Sequence, residues 1–389
     1  MEPMPAFTLD DASLDALKAF RRELHQYPFA SDEEAPTVQR LVTFLQPRIS
    51  TEIRVFMNGT AALVTFDSGQ PGPGVLLRGD TDALPIPEVN TFAHASKRPG
   101  YGHMCGHDGH TAILCAVAAH LNAHPPKQGC VVLLFQPAEE NGHGAVGVLD
   151  SGILKDYPIT HAYALHNLPG FPLHHVASRN GTFNAAVKSV IYRFEGITAH
   201  AAEPEQGRNP ALAMAALLQE AEAASVNTPD SDDFFIAVPV YTTLGQQAYG
   251  IAAGVGEVHL TVRSWKPEIL SDKLAALEAF AHKQADAHEL QLSLRETESF
   301  EACDNAAENV AIIAQASSAA GLSFTYLERP FRWGEDFGLF SQHYSGAMFG
   351  LGSGENCPAL HNPDYDFPDA LIASGARVFV EVLRAHWMA

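Results

Sequence analysis

The sequence predicts an α/β protein with a mixed, mainly parallel sheet flanked by helices, and an inserted α+β domain of split βαβ topology. Its 389 residues exceed one ordinary hydrophobic core. The apolar run Cys130–Gln136 (CVVLLFQ) is typical of a strand that is covered on both faces. After about residue 184 the element order becomes strand–helix–strand–strand–helix–strand, which predicts the split βαβ unit.

In the first domain, helical spacing of apolar residues predicts helices, and short apolar runs predict strands. The predicted helices span residues 14–26, 35–45, 108–121, 305–320 and 370–385. The predicted strands span residues 61–66, 75–78, 130–136, 162–166 and 347–351. The helix at 108–121 carries small and apolar residues on most faces, so we expect it to be buried.

In the inserted domain, the predicted strands span residues 187–195, 234–241, 256–265 and 290–295. The predicted helices span residues 209–224 and 267–288. We expect the inserted domain at 185–291 and the first domain at 1–184 and 292–389. Two chain crossings between domains make a hinge and a cleft, where substrates commonly bind.

Composition excludes several classes of protein. The formal net charge of −21 argues against nucleic acid or an anionic membrane as a partner. No apolar stretch is long enough to span a bilayer, and the first ten residues lack a signal-peptide pattern. Five cysteines without close pairing fit a reducing compartment, so we expect a cytoplasmic protein.

The strongest chemical signal is the segment GYGHMCGHDGH, which begins at Gly100. Cys105 and His107 lie in a glycine-rich turn before a helix, whose N-terminus should lower the pKa of the thiol. Thiolate and imidazole are ligands that Zn²⁺-like metals select. Asp108 is a candidate for orienting a ligand, and His110 is as consistent with packing or capping as with coordinating a metal. The alternative is a turn with chance histidines.

Two acidic segments follow predicted strands. In QPAEE, Glu139 and Glu140 point in different directions, so one can bind metal while the other serves as a general base. The alternative is a solvated acidic loop, but active sites of α/β sheets lie beyond the carboxyl ends of strands. In RGDTDALP, Asp80 and Asp82 share one face if extended, and the alternative is an Asp-rich turn.

Five further residues are candidates by context. His166, His200 and His361 each end or follow a predicted element, and alone each is as consistent with a packed or surface histidine. Arg263 in TVRSW offers a bidentate fork for a substrate carboxylate, or else forms a surface salt bridge. Asn209 is a second candidate for binding substrate.

Together these segments resemble the M20 metallopeptidase family, and are most similar to its amidohydrolase branch of hippurate, auxin-conjugate and N-acetyl-diaminopimelate hydrolases. The resemblance spans nearly the whole chain. The motifs that carry it are RRELHQYP, LLRGDTDALPI, GHMCGHDGHT, VVLLFQPAEENGHGA, ALHNLPG, GITAHAAEP, EDFGLF and LHNPDYDF. Departures from the family pattern border the expected substrate pocket: Phe29 replaces the usual Glu, and the segments GEDF and GIAA replace SEDF and NVIP.

The resemblance implies two divalent metal ions per chain, with Zn²⁺ favoured and Mn²⁺, Co²⁺ or Ni²⁺ as alternatives. The implied ligands are Cys105 (at the metal-bridging position), His107, Glu140, His166 and His361. Glu139 would be the general base that takes a proton from metal-bound water and returns it to the leaving amine. Asp82 would orient a ligand, and Asp80 falls where many relatives carry a ligand His.

The resemblance also implies that the inserted domain is both a lid and the dimerisation unit of a homodimer. His200 would reach across the dimer interface to stabilise the oxyanion. The expected function is hydrolysis of an amide bond in a small N-acyl or aminoacyl amino acid. The alternatives are a dipeptidase or carboxypeptidase acting on short peptides, and a metal-binding protein without catalysis, which the presence of Glu139 disfavours.

Overall fold

The structure is a computed structural model that describes residues 4–388, and it divides into two compact units. The first unit comprises the chain up to Phe183, Cys303–Glu328 and the chain from Asp336 on. The second comprises Asn184–Ala302 and Arg329–Glu335. The expected end of the inserted domain at 291 is therefore too early, because the next strand pairs inside the second unit. Within the described residues, no helix has the length and apolarity needed to cross a membrane.

Sixteen strands and nine α-helices are numbered along the described chain. The strands are β1 Ile53–Phe56, β2 Ala61–Asp67, β3 Gly74–Asp80, β4 Cys130–Gln136, β5 Ile159–Pro169, β6 Val176–Ser178, β7 Gly181–Asn184, β8 Ala186–Glu195, β9 Ala199–His200, β10 Phe235–Leu244, β11 Ile251–Ala252, β12 Val255–Ser264, β13 Gln291–Phe300, β14 Cys303–Asn305, β15 Phe324–Tyr326 and β16 Ser345–Gly354. The helices are α1 Asp11–Gln26, α2 Ala35–Leu45, α3 His107–Ala123, α4 Gly144–Ser151, α5 Ala211–Ala224, α6 Pro267–Ala287, α7 Ala307–Ala319, α8 Gly338–His343 and α9 Leu371–Met388.

The first unit is built on an eight-stranded mixed sheet of order β1-β2-β4-β3-β5-β16-β6-β15. Its middle strands β4, β3, β5 and β16 are mutually parallel. The predicted strand β4 is buried along its whole length, because an apolar run with no polar face requires cover on both sides. Since parallel strands end at the same edge, the residues that follow β3, β4, β5 and β16 lie at one edge of the sheet.

Helix α3 begins just after the turn that contains Cys105, and it lies in the core of the first unit. It packs against α1 and α9, and all but three of its residues are buried. The prediction of a buried helix is confirmed. Small residues such as Ala112 and Ala116 allow this close packing. The start of α3 is thus held rigidly, with His107 as its first residue.

The second unit is a four-stranded antiparallel sheet of order β10-β12-β8-β13, with α5 and α6 packed against it. The order along the chain is β8–α5–β10–β12–α6–β13, so the predicted split βαβ topology is confirmed. Alternate residues of β12 are buried, as expected for a strand with one face on a core. Strand β10 forms one edge of the sheet, and its residues 238–242 are all exposed.

Candidate metal centre

Five candidate site residues follow the parallel strands of the first unit. Asp82 follows β3, Glu139 and Glu140 follow β4, His166 lies near the end of β5, and His361 follows β16. Strand register puts these ends side by side: Asp80 pairs with Gln136, and His166 pairs with Gly350. The parallel sheet thus brings together residues that are more than 200 positions apart in the sequence.

The side chains of Cys105, His107, Glu140, His166 and His361 converge at this edge. Cys105 Sγ lies 3.5 Å from His166 Nε2. Glu140 Oε1 lies 3.9 Å from His107 Nε2 and 3.5 Å from His361 Nε2. Three overlapping trios of donor atoms each lie within 4.8 Å of one another: Cys105 with His107 and His166, Cys105 with Glu140 and His361, and His107 with Glu139 and Glu140.

This donor set fits a pair of divalent cations. His107 Nε2 and Glu140 Oε1 are buried and have no hydrogen-bond partner among residues 4–388. Buried polar atoms without partners are costly, and a bound ion satisfies them. Ligands about 2.0–2.3 Å from one ion lie within about 4.6 Å of each other, close to the observed spacing. Cys105, His107 and Glu140 each belong to two of these three trios, so the bridging position of Cys105 stays what the family resemblance implies.

The expected low pKa of the Cys105 thiol is wrong for the protein without cations. Burial, followed by the charges of Glu140 and Glu139, raises this pKa well above its ordinary value. These two effects on the thiol pKa are larger than the lowering effect that we expected from the N-terminus of the following helix. A cation at this point reverses the balance, because a coordinated thiol loses its proton.

Asp82 orients two of the converging residues. Its Oδ1 lies 3.0 Å from His107 Nδ1, and its Oδ2 accepts a hydrogen bond from the Glu140 backbone N–H at 3.0 Å. Ser31 Oγ donates to the same Oδ2 at 2.8 Å. A carboxylate on Nδ1 leaves Nε2 of His107 as the donor atom that faces the cluster. Charge from Asp80 and Asp82 outweighs burial and raises the pKa of His107 to about 10.

Asp80, whose role the sequence left open, is fully buried and strongly bonded. Arg78 Nη1 donates to its Oδ2 at 2.5 Å, and its Oδ1 lies 2.5 Å from His110 Nδ1. His110 Nε2 in turn lies 2.5 Å from Asn167 Oδ1. His110 is therefore part of a buried hydrogen-bond chain. Asp80 Oδ2 is 3.7 Å from His107 Nε2, so Asp80 lies beside the cluster and supports it.

A second buried network, which sequence reasoning missed, lies around Arg21 of α1. Arg21 donates to Asp366 at 2.6 Å and to Asp369 at 2.8 Å, and it lies 3.3 Å from Asp108 of α3. His25 Nδ1 lies 2.9 Å from the same Asp108 oxygen. Burial disfavours the charged imidazolium, but hydrogen bonds to Asp108 and Glu88 outweigh it and raise the pKa of His25 to about 9.

This network joins α1, the first turn of α3 and the loop that carries His361. A signal for it was present in the sequence. Arg21 and His25 are four residues apart, on the same helical face as Leu17, Phe20 and Leu24. Charged residues on an apolar face require buried partners.

Three candidate residues lie in the second unit. His200 is exposed in β9, and its Nδ1 accepts from the Ala202 backbone N–H at 3.0 Å. Asn209 Oδ1 accepts from the Ala211 N–H at 2.9 Å, at the start of α5. Arg263 Nη1 donates to the Arg332 carbonyl oxygen at 2.9 Å. Asn209 thus has a helix-capping contact, and the contact of Arg263 is with a carbonyl group and not with a carboxylate.

Fold and donor set together define a metal-dependent hydrolase. The sequence model of peptidase family M20/M25/M40 matches residues 76–385. The chain belongs to this family.

Relatives and solved structures agree with this assignment. The chain is 30% identical to an N-acetyldiaminopimelate deacetylase of Leuconostoc citreum over 94% of this chain and 95% of the relative. It is 29% identical to the enzyme of the same name from Bacillus pumilus, over 87% of this chain and 89% of the relative. A dinuclear metal-binding M20 peptidase of Bacillus subtilis has the same fold, with a TM-score of 0.81 and 24% identity over 97% and 99% of the two chains. The protein is thus a metal-dependent amidohydrolase of the M20 family.

Proposed function

We propose that this enzyme hydrolyses the amide bond of a small N-acyl amino acid, with Glu139 as general base beside two divalent metal ions. The observation that carries the proposal is the convergence of Cys105, His107, Glu140, His166 and His361 at one sheet edge. Glu139 is 5% exposed, and its Oε2 lies 4.0 Å from His107 Nε2. It therefore borders the proposed ligands.

The ligand assignment follows the trios of donor atoms. Cys105 would bridge the two ions, with His107 and His166 on one side and Glu140 and His361 on the other. A thiolate, imidazoles and a carboxylate suit Zn²⁺, and the mixed set also accommodates Mn²⁺, Co²⁺ or Ni²⁺. When bound, the ions supply Lewis-acid activation of water and of the amide carbonyl.

The protein side chains handle the protons. Glu139 accepts a proton from the attacking water, whose oxygen adds to the amide carbonyl carbon. Glu139 then passes this proton to the leaving nitrogen as the C–N bond breaks, because an amine leaves poorly until it is protonated. Asp82 holds His107 and the Glu140 backbone while this occurs. The products are a carboxylic acid and a free amino acid.

We propose a homodimer through the inserted unit, with His200 of one chain stabilising the oxyanion in the site of the other. Exposure of His200 supports this role, since its side chain is not enclosed by its own unit. Strand β10 supports the interface: it is an edge strand that exposes Val238, Val240, Tyr241 and Leu244. An exposed apolar edge strand is a ready surface for pairing with a second chain.

The substrate class is argued from the relatives and from the inserted unit. Relatives named as N-acetyldiaminopimelate deacetylases support an N-acetyl amino acid as substrate. Arg263 stays a candidate for contacting its carboxylate, and Asn209 stays a candidate for binding the substrate. The alternative is a short peptide, cleaved as by a dipeptidase or carboxypeptidase. A cytoplasmic location and the lack of a nucleic-acid partner stay predictions from composition.

The test of the mechanism is the Glu139→Gln variant. We expect its turnover of N-acyl amino acids to fall by about 10²–10⁴, while metal content measured by mass spectrometry stays at that of the wild type. Glu52→Gln is the control, since Glu52 is an exposed glutamate ahead of β1. Full activity of Glu139→Gln would remove Glu139 as the base.

The test of the substrate class is a turnover screen of the Zn²⁺-, Mn²⁺- and Co²⁺-loaded enzyme. The panel contains N-acetyl-diaminopimelate, other N-acetyl and N-benzoyl amino acids, and dipeptides with a free amino terminus. The proposal requires the highest kcat/KM on an N-acyl amino acid. Preference for free dipeptides would favour the peptidase alternative.

A further inference from the structure

The turn that presents Glu139 and Glu140 begins at a residue in an unfavourable backbone conformation. Ala138 directly follows β4 and Pro137, and its φ is 53°, in the left-handed region that favours glycine. Ala138 is also buried. A non-glycine residue stays in this region only where surrounding contacts enforce it.

Two hydrogen bonds hold the Ala138 backbone: the Gly144 N–H donates to its carbonyl oxygen at 2.9 Å, and a carboxylate oxygen accepts its N–H. Glu34 Oε1 accepts the Ala138 backbone N–H at 2.7 Å, although 104 residues separate the two. The same oxygen accepts the Asp32 N–H at 3.0 Å. Asp32 also has a left-handed backbone, with a φ of 70°. Glu34 thus joins two strained turns, and Asn141 Nδ2 adds a bond to Asp32 Oδ2 at 2.9 Å.

The segment before α2 also holds Asp82. Ser31 Oγ and the Glu140 N–H donate to the same Asp82 oxygen, at 2.8 Å and 3.0 Å. The short stretch from Ser31 to Glu34 therefore contacts the turn with Glu139 and Glu140 directly, through Glu34 and Ala138, and indirectly, through Ser31 and Asp82. No side chain in this stretch is among the proposed metal ligands.

We propose that Glu34 is a positioning residue, which holds Ala138 in its left-handed conformation and so aims Glu139 and Glu140 at the metal centre. This inference rests on the proposed function for the roles of Glu139 and Glu140. It adds a residue that acts through the backbone, from the segment that leads into α2. Glu34 is itself fully buried, so its carboxyl has no role as a surface charge.

The structure also indicates which replacement should preserve the role. Burial, followed by the charge of Asp82, raises the pKa of Glu34 to about 8. The carboxyl is then mostly uncharged at neutral pH, and a glutamine keeps both its shape and its accepting oxygen. Glu34→Ala removes the acceptor of the Ala138 N–H, and only the bond from the Gly144 N–H to the Ala138 carbonyl oxygen then remains of the two that hold this backbone.

The test is a double-mutant cycle of Glu34→Ala and Ala138→Gly, read by Zn²⁺ affinity in competition with a fluorescent chelator. We expect Glu34→Ala to weaken Zn²⁺ binding by about 10–100-fold, as loss of an outer contact of a metal site commonly does. Ala138→Gly alone should bind as the wild type. In the double variant, glycine adopts the left-handed turn without help, so most of the lost affinity should return.

Two further variants separate positioning from general stability. Glu34→Gln should bind Zn²⁺ within about threefold of the wild type, since it retains the acceptor. Glu381→Ala removes another buried glutamate, which pairs with Arg384 at 2.6 Å in α9. It should lower the thermal midpoint and leave Zn²⁺ affinity unchanged. If Glu34→Ala does not fold, Glu34→Met replaces it in the same cycle.

Two outcomes would overturn the proposal: Glu34→Ala with wild-type Zn²⁺ affinity, or a double variant no better than Glu34→Ala. Both outcomes can be interpreted whatever the substrate is, because the measured Zn²⁺ affinity does not depend on turnover. Failure of every N-acyl amino acid in the substrate screen would therefore affect the proposed function and leave this test intact.

Discussion

At the scale of single residues, Cys105 is the donor whose chemistry depends most on the bound ions. Its thiol is buried among carboxylates that raise its pKa, and it belongs to two trios of donor atoms. A thiol in this position is stable in the neutral form without cations and becomes a thiolate ligand with them. Its removal should therefore affect both ions at once.

We expect Cys105→Ala to lower the metal content below two ions per chain, because both proposed sites lose a ligand. The measurement is metal analysis by mass spectrometry after gel filtration. Cys115→Ala is the matched control: Cys115 is buried in α3 within the apolar core, so its metal content should equal that of the wild type. Two tightly held ions in Cys105→Ala would show that the thiol is not a ligand.

The raised pKa of Glu34 leads to a second prediction for a single residue, which concerns how the stability of the folded protein depends on pH. Its pKa is raised in the folded protein from 4.5 to about 8. A group whose pKa is higher in the folded protein than in the unfolded chain contributes its full stabilisation at a pH below its unfolded pKa. This contribution is lost as the pH rises from the unfolded pKa through the folded pKa. The loss is at most roughly 1.4 kcal/mol per pH unit.

Between pH 5 and 8, the thermal midpoint of the metal-free wild type should therefore fall relative to that of Glu34→Gln. Both proteins are measured with a chelator, so that metal binding does not contribute. The gap between the two curves should widen with pH. Parallel curves would contradict the raised pKa.

At the scale of elements, the Arg21 network fixes three parts of the first unit around the metal centre. Arg21 is 1% exposed and bridges α1, the start of α3 and the loop that follows β16. That loop carries His361, whose φ is 65° and whose N–H donates to Met104 O at 2.8 Å. The position of His361 thus depends on contacts distant from it in sequence.

Arg21→Ala should destabilise the protein by about 3–5 kcal/mol, because it leaves buried carboxylates without their counter-charge. The measurement is the denaturant midpoint of the metal-free protein. Lys18→Ala is the control on the same helix. It breaks an ion pair with Asp15, whose side chain is 75% exposed, and should cost no more than about 1 kcal/mol. Equal effects of the two substitutions would contradict a structural role for the network.

Element prediction from the sequence succeeded where periodicity and length agree. Helix α2 and strand β4 have the predicted bounds, and the helix expected at 108–121 is α3, His107–Ala123. Short elements such as β6, β9, β14 and β15 were not predicted, since two or three residues carry no measurable period. Their existence depends on pairing partners that are remote in sequence.

At the scale of the whole molecule, the proposed homodimer makes catalysis depend on two chains. If His200 acts in the site of its partner, two inactive variants should restore one site when they are combined. A heterodimer of Glu139→Ala and His200→Ala chains has one site with Glu139 and the partner's His200 both intact, and a second site with neither.

We expect this heterodimer, isolated through two different affinity tags, to recover about half of the wild-type activity, because a twofold dimer has two equivalent sites. Each variant homodimer should be strongly impaired and retain its metal ions. Activity no higher than that of the two homodimers would show that His200 does not act in trans. Failure to isolate any heterodimer would contradict the dimer.

Local pattern in the sequence was enough for the fold class, the split βαβ unit and the candidate status of Cys105, His107, Glu139 and Glu140. Strand periodicity, glycine-rich turns and acidic strand ends are local features, and they carry physical information over short spans. His166 and His361 rested on the family resemblance, because a single histidine has no distinctive local pattern.

The roles of Glu34, Arg21 and Asp80 emerged from tertiary structure alone. Each is a buried charged residue whose partners lie far along the chain, and nothing in its neighbouring sequence indicates which groups it will meet. The unfavourable backbone of Ala138 is of the same kind, because a distant carboxyl group helps to hold it. Burial, followed by the charges of Glu140 and Glu139 from the turn after β4, also reversed the expected direction of the pKa shift of Cys105.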